Sequence, residues 1–207
     1  MWYKLKRILI YPDGVTEKQV RPISRYGYDF RNKSINQINT DGWTVQSWTI
    51  AFDANWVYRS WWTANVVITK PIPNNISNAR KIIISMWNIM ASASSSFFAL
   101  WENASTSISY FTWLTLDTNQ NRYDIWIWWT IYYNSWLSAG TYDTSLTLDL
   151  VNKTYVLSSS WTTLKTGTIT DTEVSNIRTK LQYMVVYIWK SASTSTRVED
   201  INLKIEY

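Results

Sequence analysis

The sequence predicts an all-β antiparallel sandwich of jelly-roll type, and three observations predict it. Strand-length apolar runs recur along most of the chain, two of them alternate with the period of a half-buried strand, and Ser, Asn, Thr and Asp clusters separate them. In the two clearest runs Leu146, Leu148 and Leu150 alternate with Thr147 and Asp149, and Ile201, Leu203 and Ile205 with Asn202, Lys204 and Glu206. Each run has one dry face and one wet face, and many such strands bury their dry faces by stacking two sheets. With 207 residues, 46% hydrophobic and 17% charged, the chain holds enough apolar material for one core and too little charge for disorder.

Taken in order, the segments 5–11 and 15–20 flank Pro12-Asp13-Gly14, where Pro presets one turn torsion and Gly supplies another, so a β-hairpin is expected there. Pro22 ends it. Residues 23–43 are polar, with Asn32, Asn36, Asn39 and Asp41-Gly42, and read as a linker or surface loop. Strands are expected at 50–52, 64–69, 81–89, 96–100, 107–116, 123–127, 130–133, 144–150, 154–158, 181–189 and 198–206. Only 171–180 looks helical, with Thr170 or Asp171 as a cap and Glu173 soon after, so at most one short helix is expected. The organisation predicted is a basic N-terminal hairpin (1–33), a linker (34–43) and a sandwich (44–207).

Charge is uneven along this frame. Residues 1–33 hold eight bases against three acids, and the remaining residues hold twelve of each. The excess suggests an attachment segment carried by Lys4, Lys6, Arg7, Lys18 and Arg21 on an electrically neutral body, with a solvated, Lys-protected edge hairpin as the plainer alternative. The apolar run Ile8-Leu9-Ile10-Tyr11 stops at Pro12, too short for a signal-peptide core or a membrane span. No membrane partner is expected, and nucleic acid is disfavoured, because the bases lack the spread and interleaved stacking residues of a nucleic-acid groove.

Cysteine and histidine are both absent, which excludes disulfides, thiolate and imidazole metal sites, and the Ser-His-Asp and Cys-His nucleophile systems. The Glu-x-Asp-x-x-Glu strand of sandwich glucanases is missing, and Glu199, Asp200 and Glu206 read as part of an alternating strand and not as a catalytic pair. Asp117, Asn119, Asn121 and Asp124 form the densest oxygen cluster, for which a polar turn is a better reading than a calcium site. No enzyme activity, catalytic residue, cofactor or metal ligand is expected.

Tryptophan is the anomaly. There are fifteen Trp and five Gly, where average usage would give roughly 14 Gly. Ser47-Trp48, Asn55-Trp56, Ser60-Trp61-Trp62, Trp128-Trp129, Ser135-Trp136 and Ser160-Trp161 all fall where turns are expected. Glycine at such places would close hairpins naturally, whereas an indole pays steeply for positive φ. A source that reads UGA as glycine accounts for the pattern. The alternatives are a tryptophan-lined sugar platform, since aromatic faces stack on pyranose rings, and simple core packing of residues such as Trp113 and Trp189.

The order of parts from Ile82 to Tyr207 resembles the concanavalin A-like or laminin-G-like sandwich. Those parts are Lys81-Ile-Ile-Ile-Ser, Ser96-Phe-Phe-Ala-Leu, Tyr123-Asp-Ile, Thr144-Ser-Leu-Thr-Leu-Asp-Leu, Thr154-Tyr-Val-Leu, the short helix, and Val198-Glu-Asp-Ile-Asn-Leu-Lys-Ile-Glu-Tyr. The metal and sugar ligands of legume lectins find no matching positions. The opening Tyr3-Lys-Leu-Lys-Arg-Ile-Leu-Ile-Tyr-Pro-Asp-Gly looks like the basic hairpin that starts many tail or surface proteins of uncultivated bacteria and their phages. These resemblances imply a virion structural or receptor-binding protein, such as a tail-fibre or decoration subunit, made in the host cytoplasm. It would hold other virion proteins through its basic N-terminus, touch cell-surface glycan, and assemble as a homo-oligomer such as a trimer. The alternative is a carbohydrate-binding or adhesion module at a bacterial cell surface.

Overall fold

The computed structural model describes residues 22–31, 33–45, 50–53, 56–59, 66–90, 95–102, 114–119, 122–127, 130–136, 140–188 and 197–207. In chain order its elements begin with β1 (Ile23–Asp29), α1 (Ile35–Thr40), β2 (Thr44–Val45), β3 (Ile50–Asp53), β4 (Trp56–Arg59), β5 (Val66–Pro71), β6 (Lys81–Met90) and β7 (Ser95–Trp101). They continue with β8 (Leu114–Asn119), β9 (Arg122–Ile127), β10 (Thr130–Trp136), β11 (Gly140–Asp149), β12 (Thr154–Ser159), β13 (Thr162–Thr168), α2 (Asp171–Lys180), β14 (Tyr183–Ile188) and β15 (Arg197–Glu206). Two antiparallel sheets result. Sheet A runs β13-β12-β11-β6-β15-β4-β3, with β1 also paired to β15, and sheet B runs β10-β9-β8-β7-β14-β5-β2.

The alternation seen in the sequence becomes the core. Ile82, Ile84 and Met86 of β6, Leu146 and Leu148 of β11, Tyr155 and Leu157 of β12, and Ile201, Leu203 and Ile205 of β15 all point inward. They meet Ile68, Phe98, Leu100, Met184 and Val186 of sheet B in one continuous cluster. The registers Leu146↔Ile84 and Leu203↔Ile84 put these side chains in a row across three strands, so a one-residue slip would expose the whole set.

The stretch 23–43 corrects the expectation of a linker. Residues 23–29 form β1, paired with β15 from Ile23↔Glu206 to Asp29↔Asp200, and Phe30, Ile38 and Trp43 lie in the core. Its polar composition hid a strand with one partly buried face, Ser24, Tyr26 and Tyr28. The expectation of at most one helix is likewise corrected by α1. That helix is short but fully punctuated: Ser34 and Gln37 form a reciprocal capping box. At its far end Gly42 N–H donates to Asn39 O and Trp43 N–H to Ile38 O, with Gly42 at φ 84 in the left-handed conformation that closes such ends. The predicted helix is present as α2, Thr170 and Glu173 capping it as expected, with Val174 and Ile177 turned inward.

Candidate functional site

The local device that shapes the wet face of sheet A is a bulge. The pairing of β15 with β6 shifts register between Val198 and Asp200, so Glu199 is an extra residue on its strand. Val198 and Ile201, three apart and not two, both face the core. The intervening phase change turns Asp200 outward beside Trp87.

Register then assembles a row across four strands: Asp143 opposes Trp87, Trp87 opposes Asp200, and Asp200 opposes Asp29. Neighbouring strands lie about 5 Å apart, so the row is roughly 15 Å from end to end, the span of two or three pyranose rings. Trp87 is 41% exposed on this face, which is mostly polar but also carries Ile83 and Val156. Ser85, Ser145 and Asn202 stand two residues further along the strands, the next positions on the same face. Asn202 is seated over Gly27, where a Cβ would come within 2.6 Å of its Oδ1, and its Nδ2 donates toward Asp200 Oδ1 at 3.4 Å. Hydroxyls, an amide and carboxylates around an indole face are the groups that hold a neutral polyol.

The carboxylates of the row are not equivalent. Arg31 grips Asp29 with Nε on Oδ1 and Nη2 on Oδ2, both at 2.9 Å, and holds its carboxyl below the usual 3.8. Asp200 is pushed the other way, by burial first and then by the charges of Asp29 and Asp143, with Arg31 opposing. An aspartate whose charged form is disfavoured in this way lowers the stability of the fold when it is ionised. Glu199 is buried, with its carboxylate 3.9 Å from Arg31. Glu206 lies at the opposite end of β15, paired with Lys204 and 4.0 Å from Lys81, and salt bridging holds its pKa down. The wet face is therefore acidic at the Trp87 end, whereas at the Lys81 end Lys81 and Lys204 are balanced by Asp149 and Glu206.

A second aromatic group is structural. Tyr26 and Tyr28 stack at 6.5 Å, Phe30 meets Tyr28 edge-on at 4.8 Å, and Trp43 lies 5.4 Å from Tyr28. The Lys70 ammonium, 5.0 Å from the Tyr26 ring, and that of Lys33, 5.6 Å from the Tyr28 ring, already cover the aromatic faces. Tyr28 donates to Asp41 at 2.8 Å, and burial followed by this bond raises its pKa. Burial pushes Tyr26 up to about 12, opposed by the nearby Trp43 N–H and reinforced by Asp41. The Tyr26 hydroxyl and the Trp43 N–H do not meet in hydrogen-bond geometry, so their interaction is electrostatic only. This group ties β1 of sheet A to β2 and β5 of sheet B.

Of the residues predicted to act in attachment, Lys4, Lys6, Arg7, Lys18 and Arg21 fall outside the described residues, as does the expected hairpin at 5–20. Asp117 and Asp124 are brought directly opposite each other on β8 and β9. Among the described residues no group of three acidic, histidine or cysteine side chains is placed to hold a metal, and no helix is long and apolar enough to cross a membrane.

No family's sequence profile matches this chain, and no curated protein matches it by sequence. Solved structures do match by shape. Arcelin-5, a lectin-like defence protein from Phaseolus vulgaris, superposes with a TM-score of 0.62 at 11% identity, over 89% of this chain and 99% of its own. The CBM2 module of the evolved Dit protein of Lactobacillus casei BL23 phage J-1 gives 0.57 at 11% identity, over 90% and 97%. The fold is that of the concanavalin A-like lectins. A sialidase also matches, with a TM-score of 0.53 and 10% identity over 88% of this chain, but the chain spans only 18% of that enzyme's length.

Within this lectin-like sandwich, the sequence had hidden the row of Asp143, Trp87, Asp200 and Asp29. The signal that could have found it is the Val198-to-Ile201 spacing, which breaks the alternation of the last strand and announces a bulge.

Proposed function

We propose that the protein is a non-catalytic glycan-recognising component of a phage virion, a receptor-binding or decoration subunit, and that the Asp143–Trp87–Asp200 row is its sugar contact. One observation carries this reading: an exposed indole on a polar sheet face, flanked in register on both sides by carboxylates. Similarity to a phage Dit carbohydrate-binding module supports the setting. The non-catalytic part rests on Asp29. Its carboxylate is occupied by Arg31 through both oxygens, and it lies with Trp87 on an open strand face that does not exclude water. The basic segment with Lys4, Lys6, Arg7, Lys18 and Arg21 would dock the sandwich onto other virion proteins and gather it into a homo-oligomer such as a trimer. An adhesion module at a bacterial surface is the second reading, favoured by the likeness to a lectin-like defence protein.

A glycan array followed by titration tests the sugar contact. Trp87→Ala should weaken the best ligand about tenfold or more, and Asp200→Asn by a smaller factor. Unchanged affinity in both variants removes the row from the proposal, and an array with no ligand removes glycan recognition. Charge reversal at Lys4, Lys6 and Arg7 should abolish incorporation into particles while leaving glycan affinity intact; incorporation unaffected by it would remove the basic segment as the attachment point, and absence of the unaltered protein from particles would favour the adhesion reading.

A further inference from the structure

The β12–β13 hairpin pairs Ser159 with Thr162, so Ser160 and Trp161 are its two-residue link. Both have positive φ, 46 for Ser160 and 70 for Trp161, which is the signature of a type I′ turn, where glycine is the preferred second residue. Trp161 is 97% exposed, so the indole gains nothing from burial to offset the left-handed backbone. A bulky aromatic side chain in that region is a true outlier.

Other hairpins frame the anomaly. The pairs Asp53↔Trp56, Asn119↔Arg122 and Ile127↔Thr130 each leave two residues between their strands, as Ser159↔Thr162 does. Of these links Ser160-Trp161 is the one that lies among the described residues. Asparagine is among the few side chains that tolerate the left-handed region; tryptophan is not. In the same protein Gly42 fills a left-handed position at φ 84, as expected. Trp43, by contrast, is 2% exposed and packed against three other aromatic rings, a place only a large ring can fill. Trp56 pairs with Asp53 inside β4, which corrects the expectation that it sits in a turn.

We propose that position 161 is glycine in the natural protein, encoded by UGA in a source that reads this codon as glycine, whereas Trp43 is encoded by UGG and is tryptophan. Under such a code both residues coexist in one chain. Much of the tryptophan excess is then a feature of decoding, and the β12–β13 rim carries no sugar-stacking indole.

The test has three parts. The codons for 43 and 161 should be UGG and UGA respectively, and UGG at 161 overturns the proposal. The peptide spanning 161 from natively produced protein should have the glycine mass; the tryptophan mass overturns it. Made recombinantly with the sequence as written, Trp161→Gly should raise the folding equilibrium constant about five- to thirtyfold, while Trp161→Ala, which keeps the left-handed penalty, should not. Equal stability of the glycine variant and the parent removes the physical basis. The same peptide map reads position 87, whose strand backbone makes no demand for glycine. Glycine there would remove the stacking plane of the proposed sugar contact and leave the inference for 161 standing.

Discussion

The outer faces of the two sheets are built on opposite plans. On sheet A the outward residues Lys81, Ser85, Trp87, Thr147, Asn202 and Lys204 are half-buried or exposed, with Ile83 and Val156 half-buried among them, and β6, β11 and β12 alternate cleanly. On sheet B the outward residues Val67, Ala99, Trp101, Val185 and Tyr187 form an apolar cluster of their own, separate from the core between the sheets. The run Met184-Val185-Val186-Tyr187 is accordingly buried on both faces of its strand. A continuous apolar strand and an alternating strand thus pair with different surroundings in one sandwich, and among the described side chains the wet face lies on sheet A.

This comparison is easiest to break with one substitution made on both sheets. Val185→Asp places an unpaired carboxylate where the side chain is fully buried, and should cost about 4 kcal/mol or more, to the point of losing folded protein. Val156→Asp, on the half-buried outer face of β12, should cost about 1 kcal/mol or less. Urea melts of the two variants check the contrast, and equal losses would mean that the faces are not different.

Trp43→Ala should cost about 3–5 kcal/mol by opening the aromatic tie between the sheets, measured by the same melts. At the exposed start of α2, Thr170→Ala removes one half of a capping box and should cost about 1 kcal/mol.

The smallest effect is the most diagnostic of the recognition face. Because the folded-state pKa of Asp200 is raised, its ionised form is penalised at neutral pH, and the penalty fades as pH falls through the folded pKa toward 3.8. Asp200→Asn should therefore stabilise the protein slightly at pH 7, by less than about 1 kcal/mol given its partial exposure, with the advantage vanishing in acid. Asp29 behaves in the opposite sense: its pKa is lowered, so its contribution is present above 3.8 and lost as pH falls further. Thermal melts from pH 7 down to pH 3 separate the two. If the Asp200→Asn protein is more stable yet binds glycan less well, Asp200 is marked as a residue kept for contact at the expense of stability.

Much of the fold was legible because its signals are local. The alternation of Leu146, Leu148 and Leu150, the β-branched run Ile82-Ile83-Ile84, and the cap formed by Thr170 and Glu173 each report a neighbourhood of a few residues. Residues 23–29 and 162–168 escaped because their strands carry Ser, Arg, Gly, Thr and Lys, and gain strand identity only by pairing with β15 and β12. The candidate row was invisible for the same reason. Asp29, Trp87, Asp143 and Asp200 are far apart along the chain, and no periodicity links them.

Composition and local spacing yielded the antiparallel sandwich, the second helix with its cap, the absence of imidazole and thiol chemistry, and the suspicion that some tryptophans occupy glycine positions. These depend on residue counts and on spacings of two to four residues, which side-chain alternation and capping geometry translate directly. The folded chain was needed to establish that β1 joins sheet A, that a bulge at Glu199 turns Asp200 toward Trp87, and that Trp161 sits at positive φ while Trp43 is packed. Register between distant strands and the sign of a single backbone torsion depend on which partners the chain finds, and those partners lie beyond any local window.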